Sequence, residues 1–239
     1  MNSFDTDWVP SISSDGLTLY LGSARPPSLA EDIWVARRAE VTSPFDAPTL
    51  LATAGVNTAA NERSPALSAD GLEFYFDRTA VGLLVARRSS PLADFDAPTV
   101  LLGDGYGAAP SLDGLTLYYT TGTETSERLA IAKRPDRASP FVFQRLITEL
   151  NSMAADGWPS PSSDGLELYF ESHRTGTPRI WVARRMREDA AFDPPQLVNV
   201  TVLGGESDPA ISADGSLLYF ATRTASRQYE IYVTRRTCQ

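Results

Sequence analysis

One cysteine and one histidine occur in 239 residues. Cys238 has no second cysteine to pair with, so an intrachain disulfide is excluded and cysteine usage does not identify a redox compartment. A single His and a single Cys also exclude an ordinary zinc site built on those ligands. A Ser–His–Asp triad would have to run through His173, in the loop ESHRTG, and no GxSxG elbow accompanies it. P-loop, dinucleotide fingerprint and EF-hand loop are missing as well. No catalytic residue and no metal ligand set is therefore read. Basic charge is scarce: 21 Lys and Arg stand against 30 Asp and Glu, a net charge of −9. That balance argues against nucleic acid, which asks for a basic footprint. No apolar run is long enough to cross a bilayer, so no membrane insertion is expected. No signal peptide is read, since polar residues follow Met1 at once.

What the chain has instead is one stretch written five times. PSPSSDGLELYF from Pro159 is one copy. The others are PSISSDGLTLYL from Pro10, PALSADGLEFYF from Pro65, PSLDGLTLYY from Pro110 and PAISADGSLLYF from Pro209. Each reads as a β-hairpin around an Asp-Gly turn, where Gly takes positive φ freely and Asp tolerates turn geometry. The second strand is apolar on both faces, as a strand covered from both sides must be. A polar loop follows, then a third strand ending in two basic residues: DIWVARR to Arg38, LLVARR to Arg88, LAIAKR to Arg134, IWVARR to Arg185 and IYVTRR to Arg236. FDAP at Phe45, FDAP at Phe95, FVFQ at Phe141 and FDPP at Phe192 then lead to a fourth strand.

The turn residues Asp15, Asp70, Asp113, Asp164 and Asp214 recur at intervals of 43 to 55 residues. Repeats of that length, built from up-and-down strands, predict propeller blades that bury each other's faces and leave only short edges. The expectation is all-β: a five-bladed β-propeller of four-stranded antiparallel blades. It forms one domain over 1–239, with blades near 1–52, 53–102, 103–148, 149–200 and 201–239. Blade five is expected to lack its fourth strand, leaving Asn2 to Thr6 as the only spare segment to cover that edge.

The pattern of Asn-Ser/Thr, an acid, Pro, SxDGxxLYF, an Arg loop and DIWVARR resembles the WD-like β-propeller repeat of the TolB family, in the form abundant in exported bacterial proteins. The resemblance covers essentially the whole chain. It implies a binding or scaffolding platform that is periplasmic or secreted; the residues themselves leave cytoplasmic residence open. It fixes no activity, because propellers host unrelated ones.

Four repeats carry an acid before the Pro: Asp7, Glu62, Asp156 and Glu206. The same four carry an Arg after strand two: Arg25, Arg78, Arg174 and Arg223. Repeat three lacks both. Gly107 is read at the acid's place, and the first strand is expected to be shortened. The start of strand one and the end of strand two share one end of a blade, so acid and Arg should pair, Asp156 with Arg174 and Glu62 with Arg78 among them. The simpler role is a clasp on a loop; the alternative is a ring of charge at the channel mouth. Trp8 and Trp158 stand before strand one, one residue out of register, and either cover the mouth or offer stacking faces. Asp104 and Tyr106 flank the gap in repeat three, and His173 lies in a loop at the same end.

The Asp-Gly end hardly varies among copies and reads as structural, with each Asp near the basic pair, as Asp15 near Arg37 or Arg38. The opposite end varies from DRTAVG at Asp77 to SARPPSLAED at Ser23, and varied loops on a rigid scaffold make binding sites. The candidate ligand-binding residues are accordingly Asp7, Trp8, Glu62, Asp104, Tyr106, Asp156, Trp158, His173 and Glu206. Tyr20, Tyr75, Tyr118, Tyr169 and Tyr219 share one register and read as blade-to-blade packing.

The function expected is a non-enzymatic module that binds a protein or small ligand without a cofactor. Calcium on carboxylates and carbonyls at the mouth is the one metal left open. A carbohydrate-binding propeller, with a glycan as partner, is one alternative. A glycoside hydrolase with carboxylates in the central funnel is another, and needs two of them about 5–9.5 Å apart in unlike environments. Acids that each bring an Arg fit that poorly, because a paired carboxylate holds its charge too firmly for general-acid work.

Overall fold

Each Asp-Gly turn is closed by its own sequence. Ser13 Oγ donates to Asp15 Oδ1 (2.5 Å) and the Leu17 amide donates to the same oxygen (2.9 Å). Ser68–Asp70, Ser111–Asp113, Ser162–Asp164 and Ser212–Asp214 repeat the first bond. The basic residue after strand three reaches a different atom from the one expected. Nε of Arg38, Arg88, Arg134 and Arg185 donates to the carbonyl of the turn glycine at 2.6–2.8 Å. The turn aspartate is already held by its own Ser and amide.

The computed structural model describes the chain except residues 1, 29, 124, 201–204, 224–227 and 237–239; Cys238 lies outside the described residues. Among these there are 19 strands and no helix. Blade one is β1 (Asp7–Ile12), β2 (Thr18–Ser23), β3 (Asp32–Arg37) and β4 (Thr49–Leu50); blade two is β5 (Glu62–Leu67), β6 (Glu73–Arg78), β7 (Gly82–Arg87) and β8 (Thr99–Leu102). Blade three is β9 (Gly105–Pro110), β10 (Thr116–Thr121), β11 (Arg128–Lys133) and β12 (Val142–Leu146); blade four is β13 (Asp156–Pro161), β14 (Glu167–Ser172), β15 (Arg179–Arg184) and β16 (Gln196–Leu197). Blade five has three strands, β17 (Glu206–Ile211), β18 (Leu217–Arg223) and β19 (Tyr229–Arg235). Within each blade neighbouring strands pair antiparallel in chain order. The first strands β1, β5, β9, β13 and β17 touch one another in turn, and β17 returns to β1, closing a five-bladed β-propeller around a central channel.

Apolar residues of the second and third strands fill the spaces between blades. Tyr20, Ile33 and Val35 of blade one meet Phe74, Phe76 and Leu84 of blade two, and comparable clusters fill the next three junctions. The five tyrosines are at most 6% exposed. Two of their hydroxyls take an Arg from the following blade, Tyr118 from Arg185 (2.9 Å) and Tyr219 from Arg38 (3.4 Å). The second of these bonds crosses from blade five to blade one, where the apolar clusters are smaller.

Repeat three keeps a full first strand of six residues. Aligning Pro110 with the other prolines was the source of the expected shortening. Ala109 pairs with Tyr118 as Ala66 pairs with Tyr75, so Ala108 and not Pro110 stands where the other copies have Pro. The acid's place therefore falls to Gly105, opposite Thr121, and not to Gly107.

Candidate binding site at the channel mouth

The acids predicted from the sequence are inside the protein. Asp7, Glu62 and Asp156 are 0% exposed and Glu206 is 1% exposed. Asp156 Oδ1 accepts from Ser172 Oγ (2.5 Å) and Arg174 Nη2 (2.9 Å), while Oδ2 accepts from the Ser152 amide and hydroxyl. Asp7 is held the same way by Ser23, Arg25 and Ser3. Glu62 is one methylene longer and meets Arg78 directly (2.7 Å) as well as Thr58. Arg174 also donates to the Leu150 carbonyl, and Arg78 to those of Gly55 and Val56. In these three blades the clasp ties the incoming loop to the end of the hairpin. Glu206 pairs instead with Arg179 from the start of β15, and Arg223 lies over the Tyr229 ring. The four acids spend themselves on loops, away from the mouth cavity.

That cavity has a volume of about 1090 Å³ and brings together Trp8, Asp104, Tyr106 and Trp158. Its walls come from a bulge that all five first strands share. Pairing shifts after the second residue of each, and the third residue has positive φ: 45° at Val9, 51° at Ser64, 58° at Gly107, 48° at Trp158 and 53° at Asp208. Only one of the five is glycine, and such angles are costly for a β-branched Val or a bulky Trp. A side chain added at Gly107 would meet Trp158 Cδ1 at 3.4 Å. Trp8 lies over Gly22, where a Cβ would stand 2.8 Å from its indole nitrogen. Tyr106 and Trp158 meet edge-on, with ring centroids 5.6 Å apart, and the Tyr106 hydroxyl donates to Glu127 (3.0 Å).

Apart from Asp104, the acids that line the mouth were missed by sequence reasoning. Asp77, Glu127, Glu171 and Asp208 join the aromatic residues there, together with Arg63. Bulge amides are held by the neighbouring blade: Gly107 donates to Asp77, Trp158 to Thr120 and Asp208 to Glu171. Val9 donates to the Asp208 carboxylate itself (3.4 Å). Burial holds the Asp208 carboxyl well above the usual carboxylate range, and the charges of Glu171 and Glu127 push the same way. Burial also raises Asp77. His173 lies beside the cavity and bonds Glu171 Oε1 through Nε2 (2.9 Å); that bond raises the imidazole pKa. Arg63 is paired with Glu31. Among the described residues no three His, Cys, Asp or Glu side chains are grouped so as to hold a metal ion.

Variation between copies was the signal that could have found these residues. The second residues of the first strands are Trp8, Arg63, Tyr106, Gly157 and Ser207, all different, and the third residues differ as completely. Facing them on strand two stand Gly22, Asp77, Thr120, Glu171 and Ala221.

No protein-family model matches the chain, and no curated protein matches it. Solved structures do. A protein assigned as TolB from Agrobacterium tumefaciens is 19% identical with a TM-score of 0.61, over 98% of this chain and 79% of that one. TolB from Acinetobacter baumannii is 12% identical with a TM-score of 0.57, and this chain spans 51% of its length while matching over 93% of its own. A thermostable family-43 glycoside hydrolase is 13% identical with a TM-score of 0.66, over 100% of this chain and 92% of that one. At such identities the likeness is one of fold.

Proposed function

We propose that the protein is a non-enzymatic binding module that takes one ligand at the channel mouth. The observation that carries this reading is asymmetry on a repeated scaffold. Turns and core tyrosines recur in every blade and the clasp in three, whereas the side chains facing the mouth differ in every blade. Five equivalent weak sites, as a multivalent lectin would present, are not what such a ring offers. The aromatic faces of Trp8, Tyr106 and Trp158 beside carboxylates suit a small polar ligand or the side chain of a protein partner. The likeness to proteins named TolB, with the repeat resemblance, supports an exported setting.

A thermal-shift screen against oligosaccharides and short peptides tests the proposal. Compounds that stabilise the wild type are expected to lose their effect on the variant Tyr106→Ala/Trp158→Ala. Undiminished binding by that variant would overturn it.

One observation favours a second reading, a glycoside hydrolase. Burial holds the Asp208 carboxyl high while its amide donates to Glu171, and a raised carboxyl beside a second one is a feature of acid–base cleavage of a sugar. Release of reducing sugar from arabinan or xylan, abolished by Asp208→Asn, would replace binding with catalysis. No release is the expected result.

A further inference from the structure

The outer edge of blade five is a ready groove, and the other four blades show what fills it. In each of them the Arg after strand three stacks on a Phe seven residues later: Arg38 on Phe45, Arg88 on Phe95, Arg134 on Phe141 and Arg185 on Phe192, at 4.3–4.5 Å. After the Phe, the amide of Asp46, Asp96 or Asp193 donates to the last carbonyl of strand three at 2.7 Å. A short fourth strand then pairs, Thr49 with Val35 and Leu50 with Trp34 in blade one.

Blade five has the receiving half of this arrangement. Arg236 follows β19 as Arg38 follows β3, yet among the described residues no Phe stacks on it; its guanidinium pairs with Glu167 and stands 6.0 Å from Tyr169. Tyr232 and Val233 are 40% and 54% exposed, whereas the counterparts Trp34, Val35, Leu84, Val85, Ala130, Ile131 and Val182 are at most 5% exposed and Trp181 is partly buried. Beside them runs a groove of about 610 Å³, walled on the other side by Arg38 and Phe45 of blade one. The Asn2 side chain holds the Ile231 amide and carbonyl (2.9 and 3.1 Å), which shows that this edge points outward. By strand alternation the Val233 and Arg235 groups point the same way.

We propose that the β19 edge is a receiving site for an extended segment of the kind that completes the other four blades. Its chemistry is that of the chain's own outer strands: a Phe to stack on Arg236, an acidic residue directly after it, and two to four residues that pair beside Tyr232 and Val233. Charge complements shape, since Arg38 and Arg235 line the groove and Asp follows Phe in three of the four internal examples. Strand addition of this kind takes affinity from main-chain hydrogen bonds and specificity from side-chain pockets.

The probe is a labelled peptide of residues 89–103, SSPLADFDAPTVLLG, titrated into the full chain by fluorescence anisotropy. Saturable binding is expected. A peptide with Phe95→Ala should bind at least about tenfold more weakly, having lost a buried aromatic and its cation–π contact. Val233→Pro should abolish binding while leaving the melt nearly unchanged, because a proline is tolerated on an edge strand whose amide faces outward. Arg236→Gln should weaken binding without touching the backbone. No binding up to about 1 mM peptide, or binding indifferent to all three changes, would overturn the proposal. So would a dimer that Val233→Pro converts to monomer, since a second copy would then hold the edge.

Discussion

Asp208 concentrates the physics of the mouth in one side chain. It is 8% exposed, sits in a backbone conformation that L-residues avoid, and faces Glu171. Its carboxyl is raised by burial in the folded state and returns to the ordinary range, about 3.9, when the chain unfolds. Between those two values the folded state binds more protons than the unfolded one, so this group makes stability fall as pH rises through the window. Asp208→Asn removes the cost and can keep the bond from the Val9 amide. The variant is expected to melt higher than wild type at pH 7, with the advantage gone below about pH 4, where the wild-type carboxyl is protonated in both states. Melting curves at the two pH values check this; an Asn variant less stable at pH 7 would show that the ionised carboxylate is held, not merely tolerated. Trp8, Asp104, Tyr106 and Trp158 were legible as departures from the repeat, whereas Asp77 and Glu171 belong to a strand whose neighbours read as core.

Among the elements, the loops that enter each blade depend on the clasp and on an asparagine five residues before the acid. Asn57 brackets Ile33 through both its amide and carbonyl, and Asn151 brackets Leu129 in the same way. Asn2 does this to Ile231, across the seam where blade one meets blade five. The N-terminal segment thus covers part of the open edge with a side chain, without forming a strand. Asn2→Ala loses two partly buried bonds and is expected to cost about 1–3 kcal/mol, read as a fall in Tm of roughly 2–12 °C. Arg174→Ala leaves the buried Asp156 carboxylate without its cation and removes a group stacked 4.9 Å from Trp181. A loss of about 3 kcal/mol in denaturant unfolding is expected; a change under about 0.5 kcal/mol would mean that the serines suffice. Hairpins, third strands and three of the four clasp partnerships were legible, because each is written locally and repeated. The register of repeat three was not, since a proline outweighed a better marker. Ser stands two residues before the turn Asp in all five copies, and its hydroxyl closes the turn.

At the scale of the molecule, four-stranded blades stack through apolar faces and blade five has three strands among the described residues. Blade number was readable because it is a count of repeats. The cavity's full lining was not, because part of it comes from positions two and three of separate first strands that meet only when the ring closes. Those positions carry the central claim, a single asymmetric site on a symmetric frame. Calorimetric titration of the first compound that the screen yields, paired with hydrogen exchange on the complex, tests it most directly. One ligand per chain is predicted, with slowed exchange in β5, β9, β13 and β17. Several equivalent sites per chain, or protection confined to the Asp-Gly turns at the opposite end, would contradict it.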